Sequence, residues 1–490
     1  MIPSDSIGLQ RYAKAATEQG NEAEAAPVLA AAAARFASDP LLWQWTALLH
    51  RALDQHGEAL AAAETAARLA PQDARIAHGR AHIALEAGRD ARDVFEAAAR
   101  LDPANGDVLL GLAAARLAAG EGARGVADLD ALLAANPLWI DGHNRLAQLR
   151  CVTGDRAAAT ASFERALAVY PRDFTLWQAL IATLIQGERW AEAGEAIARA
   201  RAAMGDGLYF DVNEAVVRSE LGEVAAADAL FARTADARDV TLDVRRIRHL
   251  LRNQRIEPAL AMIERGIAGA GAALIWPYAA LAWRIGGDER WEWLEGQPGL
   301  VSVIDLADRL PPLDRLAETL RGLHRAQGEY LDQSVRGGTQ TDGPLFARVE
   351  PEIQAVRAAI VAAVEEHIAQ LPAPDPRHPA LAPRRDRPVR FTGSWSVRLA
   401  DAGHHSNHIH PLGWFSSALY VALPPPGPGQ QGWLKLGEPR DDLGLGLEPV
   451  RAIEPKPGRL VLFPSTMWHG TIPFAAGERL TIAFDVAPPR

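Results

Sequence analysis

The chain has 490 residues, 48% of them hydrophobic, with a formal charge of -10 and a single cysteine, Cys151. Two to four domains of about 100–200 residues each are expected from that length, the interspersed charges leave no basic footprint for nucleic acid, and one cysteine excludes an internal disulfide framework or a thiolate metal cluster. The opening MIPSDSIGLQRYAKAATEQG has neither the basic nor the apolar region of a signal peptide, and no apolar run reaches the roughly eighteen residues of a membrane span, so a cytoplasmic protein without membrane or nucleic-acid partners is expected.

From about residue 8 to residue 290 apolar residues recur at helical spacing, and a longer period lies over them. Pro40, Pro71, Pro103, Pro137 and Pro171 mostly follow segments such as AARLAPQD. Gly20, Gly57, Gly88, Gly120, Gly154, Gly187 and Gly222 fall between them, and successive members of each set are mostly 31 to 35 positions apart. This predicts a helix, a turn that uses glycine's freedom, a second helix, and a proline that stops it. The segment FTLWQALIATLIQGERWAEAGEAIARARAAM resembles a tetratricopeptide repeat. Trp177, Leu180, Ala193, Ile197 and Ala200 occupy that family's packing positions, Gly187 the turn, and Ile181 stands where a small residue is usual. About eight units are expected, those from about 241 to 290 decayed. The resemblance implies a superhelix that binds a peptide, a protein partner or a second copy of the chain. The histidines at 50, 56, 78, 82 and 143 show no convergent pattern there and are expected to pack or to be solvated.

Between about 291 and 390 the pattern changes. LVSVIDL reads as a strand, LPPLDRLAETLRGLHRAQ as a helix entered at its prolines, and VEPEIQAVRAAIVAAVEEHIAQL as an amphipathic helix. YLDQSVRGGTQTDGPLF has no helical period and is expected to be a surface loop, the alternative being that Gly337 and Gly338 let it approach a ligand. The proline-rich PAPDPRHPALAPRRDRP then connects to a run of strand signals, SWSVRLA, WFSSALYVAL, GWLKLG, GRLVLFP and RLTIAFDV, which suggest a barrel or jelly roll.

The chemistry gathers in this last part. Two residues apart on a strand, His408 and His410 face the same way, so both can meet one ion while Ile409 turns to the core. His469 follows GRLVLFPSTMW near the end of another strand. Imidazoles in a facial set leave positions open for a co-substrate and oxygen, as in non-haem Fe(II) oxygenases. Arg479 and Thr481 share a strand face, where an arginine fork and a hydroxyl can grip a carboxylate. His404 and His405 are expected in the surroundings of the metal or in solvent, and Trp395, Trp414 and Trp468 in the core or the pocket wall.

With GHHSNHIHPLGW, LVLFPS, WHGTIPF and ERLTIAFDV in view, residues from about 300 to 490 resemble the Fe(II)/2-oxoglutarate-dependent dioxygenases. The resemblance implies Fe(II), 2-oxoglutarate and O2, with His408 and His469 on the metal and Arg479 with Thr481 anchoring the distal carboxylate of the keto acid. It also implies oxidative decarboxylation of the keto acid coupled to hydroxylation of a substrate C–H. His410 stands where the superfamily has a carboxylate, so the expected metal set is His408, His410 and His469. That departure leaves open a three-histidine, cupin-type dioxygenase that uses no keto acid, and, from another class, a non-catalytic tetratricopeptide scaffold. QSVRGGTQT adds Arg336 and Gln340 as candidates for the pocket rim.

The expected architecture is multidomain. An all-α tetratricopeptide-like superhelix (1–290) precedes a double-stranded β-helix, or jelly-roll, oxygenase domain with flanking helices (291–490, jelly-roll core about 390–490). The substrate expected is a peptide or protein recruited with help of the repeats. On this view removal of residues 1–290 leaves keto-acid turnover largely intact and impairs only action on the substrate.

Overall fold

A computed structural model describes residues 2–331 and 333–489. Among them, the stretch from Ser6 to Gly266 forms eight antiparallel helix pairs, and a single helix, Ala272–Gly286, closes the array. Most first helices begin alike. Asp5, Asp39, Asp73, Asn105, Asp173 and Asp239 each accept a hydrogen bond from an amide of the first turn, satisfying donors that a helix start leaves bare. Inside each pair one residue is left-handed: Gly20, Asp54, Gly88, Gly120, Gly154, Glu188, Gly222 and Gln254, with φ between 55° and 91°.

This corrects two turn positions. Gly57 lies within the helix His56–Leu69, and Gly187, with φ of -77°, only precedes the turn; the left-handed residues of those pairs are Asp54 and Glu188. The repeat spacing is kept by the position in the turn, whichever residue fills it. Trp177, Leu180, Ile181, Ala193, Ile197 and Ala200 share one buried cluster, which accommodates Ile181 where a smaller residue was expected.

Nine strands follow among the described residues: β1 (Ser302–Asp305), β2 (Val335–Gln340), β3 (Phe391–His405), β4 (Phe415–Ala422), β5 (Leu434–Leu436), β6 (Arg451–Ile453), β7 (Arg459–Pro464), β8 (His469–Thr471) and β9 (Arg479–Val486). They form a six-stranded sheet in the order β1-β7-β4-β9-β3-β2 and a three-stranded sheet in the order β6-β5-β8, a jelly roll whose larger sheet takes both edge strands from before residue 390. The segment expected as a surface loop supplies β2. Its glycines serve the strand pairing: β2 and β3 slip register between Arg336 and Gly338, Gly337 is left-handed, and a Cβ on Gly338 would stand 2.5 Å from the Arg398 carbonyl. Such a bulge breaks the alternation on which strand recognition rests.

Each face of the larger sheet has its own partner. Leu480, Ile482, Phe484 and Val486 of β9 pack with Phe415, Leu419 and Val421 of β4 against the helices Leu313–Leu323 and Pro351–Gln370. The alternate residues face the smaller sheet, leaving a cleft between the two.

The jelly roll is seated on the turn edge of the helical array. Asp54 meets Arg357 at 3.6 Å, Val349 N–H donates to Ala87 O, and Gln327 and Gly328 donate to Val152 O. Further along, Glu188 pairs with Arg440 at 2.7 Å and Gln254 Nε2 donates to Gly444 O at 3.4 Å. At the closing helix the two units share a core, in which Trp468, Leu443 and Ile409 pack with Trp276, Tyr278 and Trp283. Trp468 Nε1 donates to Pro277 O at 3.1 Å.

Candidate metal centre

His408, His410 and His469 converge as expected from sequence. One nitrogen from each lies within 4.8 Å of those of the other two, and among the described residues no other group of three or more metal-capable side chains does this. The reason differs in one respect from a plain strand argument. His408 and His410 lie just beyond β3, and a β-bridge with His469 at the head of β8 holds them. His408 N–H donates to His469 O at 2.9 Å and His469 N–H to His408 O at 3.0 Å. His410 N–H donates to Ser465 O, so the two-residue spacing still brings both rings to one side, and Ile409 turns outward into the core shared with the helical array.

The rings present the same nitrogen. Nδ1 of His408 lies 2.8 Å from Ser406 O, Nδ1 of His469 3.0 Å from Met467 O, and Nδ1 of His410 2.5 Å from Asp485 Oδ2. Each acceptor holds the proton on Nδ1 and leaves the Nε2 lone pair for a metal. Burial pushes His408 and His469 well below the ordinary imidazole pKa, with neighbouring histidines adding to the effect, so both are neutral at physiological pH. Ser334 Oγ lies 3.0 Å from His405 Nδ1 and 3.2 Å from His408 Nε2, in the same cleft.

Arg479 and Thr481 lie on the cleft face of β9 as expected, and both are buried. Arg479 Nη1 donates to Thr471 Oγ1 at 2.7 Å, and its guanidinium sits 5.1 Å from the ring centre of Tyr420. Arg479 Nε and the Tyr420 hydroxyl are buried without a hydrogen-bond partner among the described residues. The cleft spans about 570 Å³ counted out to its mouth. Two rim candidates part company: Gln340 lines the cleft, whereas Arg336 is held by the carbonyls of Gln333 and Val335. His405 is half-buried, its pKa lowered by burial to about 3, while His404 turns aside toward Ala402 O.

The tryptophans divide three ways. Trp395 stacks on His410 at 5.6 Å as pocket wall, Trp414 lies in the core and donates to Ala380 O, and Trp468 belongs to the core between the two units. Asp485, Tyr420 and Ser334 were not singled out from sequence. Alternation along RLTIAFDV carries the cleft face from Arg479 through Thr481 to Asp485, and that signal was available. Of the helical histidines, His143 is buried against Ser162 Oγ and Pro137 O, a packing role.

Residues 393–485 match the family model described as "Putative 2OG-Fe(II) oxygenase". Among solved structures, the chain is similar to a tetratricopeptide repeat protein from Parabacteroides merdae, with 18% identity, a TM-score of 0.30, and coverage of 48% of this chain and 94% of that one. It is also similar to a Pseudomonas putida prolyl-4-hydroxylase, with 18% identity, a TM-score of 0.27, and coverage of 39% and 94%. MamA 41-end from Desulfovibrio magneticus gives 16% identity, a TM-score of 0.31, and coverage of 36% and 99%. No curated protein matches the chain in sequence, and no helix among the described residues is long and apolar enough to cross a membrane. With its jelly roll and this family match, the C-terminal unit is a 2OG-Fe(II) oxygenase-like domain, and it is fused to a tetratricopeptide-like helical array.

Proposed function

We propose that the chain is an Fe(II)- and 2-oxoglutarate-dependent dioxygenase that hydroxylates a peptide or protein substrate, with the helical array (1–290) presenting substrate or partner to the oxygenase domain (291–490). The observation that carries this reading is Arg479, a buried cation with an unpaired donor facing the same cleft as three convergent imidazoles.

The residues fit the groups proposed. His408, His410 and His469 offer three imidazole nitrogens to one point, the chemistry of an Fe(II) site with open positions. Arg479 Nε and the Tyr420 hydroxyl approach each other in a buried place and have no other acceptor there among the described residues, which is costly unless one arrives. A carboxylate supplies that acceptor, and Thr481, two residues along the same face, adds a hydroxyl to the grip. Fe(II), the keto acid and O2, when bound, would supply the hydroxylation of an unactivated C–H, one oxygen atom going to the substrate and the other to succinate, with release of carbon dioxide.

The chain's own work is to hold and to exclude. Ser406 O, Met467 O and Asp485 fix the imidazole rings. Arg479 and Tyr420 set the far end of the co-substrate, and Trp395 and Phe463 wall the cleft against water. Ser334 Oγ, 3.2 Å from His408 Nε2, can donate to an oxygen placed beside that nitrogen. No side-chain base is required for this chemistry.

Anaerobic addition of Fe(II) and 2-oxoglutarate to the full chain should give the weak visible charge-transfer band of a chelated keto acid, lost in Arg479→Ala. Iron binding with no band in the wild-type chain would instead favour the three-histidine dioxygenase, which His410 suits. Absence of iron binding would favour a scaffold.

A further inference from the structure

We infer that Asp485 is a positioning residue of the metal centre, and that His410 and Asp485 together take the place that one carboxylate ligand holds in a two-histidine, one-carboxylate site. The inference rests on the proposal that the three histidines bind metal.

Asp485 is 8% exposed, and among the described residues no arginine or lysine pairs with it. Its oxygens are nonetheless both engaged. Oδ2 meets His410 Nδ1 at 2.5 Å, and Oδ1 accepts from Ser416 Oγ at 2.6 Å, itself 2.9 Å from Ser465 Oγ. Both serines are buried. The space is kept open by Gly413, where a Cβ would stand 2.6 Å from Ser465 Oγ and 3.3 Å from the Asp485 Cβ. A buried carboxylate with no countercharge is costly, and among the described residues its one ionisable partner is the His410 ring, through which a bound cation would act on it.

His410 differs from its companions in this respect. Neutral main-chain carbonyls hold His408 and His469, and an anion holds His410. A carboxylate on Nδ1–H makes Nε2 a stronger donor and fixes the ring's orientation. It also returns to the site the unit of negative charge that is lost when an imidazole stands where a carboxylate is usual. The centre then has the overall charge of a two-histidine, one-carboxylate site, with the anion moved one shell outward. Trp395 stacks on the His410 ring at 5.6 Å between centroids and restricts its tilt.

Co(II) is an air-stable, coloured probe for the test, titrated into the full chain. Asp485→Asn should weaken Co(II) binding by about 10- to 100-fold, as removal of such outer partners does elsewhere, and should shift the visible d–d bands. Asp485→Glu should restore part of the affinity, and Ser416→Ala, which loosens the carboxylate without removing it, should cost less than Asp485→Asn. The deciding comparison is made in a His410→Asp background. A ligand carboxylate beside Asp485 repels it, so Asp485→Asn should there be neutral or should tighten Co(II) binding.

Equal weakening in both backgrounds would show a merely structural role and overturn the inference. Unchanged affinity and spectrum of Asp485→Asn in the wild-type background would overturn it while leaving the three-histidine metal site standing. Failure of the wild-type chain to bind Co(II) would overturn both.

Discussion

Gly120 and Gly222 turn their helix pairs in open space, with no atom within 4 Å of where a Cβ would stand, whereas Asp54, Glu188 and Gln254 make the same left-handed turn carrying full side chains. The left-handed conformation costs an ordinary L-residue roughly 1–2 kcal/mol. Each of these three side chains reaches the oxygenase unit, at Arg357, Arg440 and Gly444 O. Of the two remaining interface turns, Gly88 is met by Arg348, 2.7 Å from where its Cβ would stand, and the Gly154 turn is met one side over, where Gln327 and Gly328 donate to Val152 O. Turn chemistry therefore departs from glycine where docking supplies a compensating contact, and one edge of the array serves as a seat for the jelly roll.

Breaking the shared core tests this most severely. Trp468→Ala removes a side chain packed between the units and next to His469, and should cost about 3–5 kcal/mol, as large buried aromatic truncations do. Unfolding in denaturant and Co(II) titration should fall together. An unperturbed metal affinity would show that the array is a detachable arm. By the same logic deletion of residues 1–290 should abolish keto-acid turnover along with substrate action, contrary to the separable arrangement expected from sequence, because Ile409 and Trp468 would lose their packing.

A smaller effect is expected at the docked turn. A Cβ on Gly328 would stand 2.3 Å from Cys151 O, whereas Gly322 has nothing within 4 Å. Gly328→Ala should destabilise by roughly 1–3 kcal/mol, in the range of overpacking, while Gly322→Ala, in the helix Leu313–Leu323, should be neutral or stabilising by up to about 1 kcal/mol. Thermal unfolding compares the two, and equal midpoints would mean that the seat is soft.

The subtlest contrast concerns Glu188. Changing it to glycine relieves backbone strain but loses a half-exposed ion pair whose worth is at most about 1 kcal/mol, so Glu188→Gly should lie near neutrality. In an Arg440→Ala background the same change should stabilise by about 1 kcal/mol, since only strain relief remains. Stabilisation of that size in the wild-type chain would mean the ion pair contributes nothing.

The helical array was legible because its contacts are local: each pair packs on its neighbours, and caps and turns recur at a spacing that shows in the letters. The convergence of His408, His410 and His469 was legible for a different reason, since they sit beside strand and turn signals that limit where they can point. Asp485 was harder because it meets His410 across 75 positions, and β2 because VRGGTQ has a bulge where alternation would have shown it. The joint core escaped because Ile409 and Trp468 read as ordinary core residues, and nothing local says whose core they enter.

The left-handed turns also constrain how this chain can change over generations. Helical-repeat arrays ordinarily lengthen or shorten by whole units, since each unit contacts only its neighbours. Here Asp54, Gly88, Gly154, Glu188 and Gln254 are fastened to fixed points on a body that does not repeat. A unit gained or lost between Asp54 and Gln254 would carry every later turn past its mate by a full repeat. Growth by duplication is thereby confined to the end before Glu22, which Arg390 of the oxygenase unit holds at 3.0 Å, and the remainder of the array is set to the girth of the jelly roll it holds.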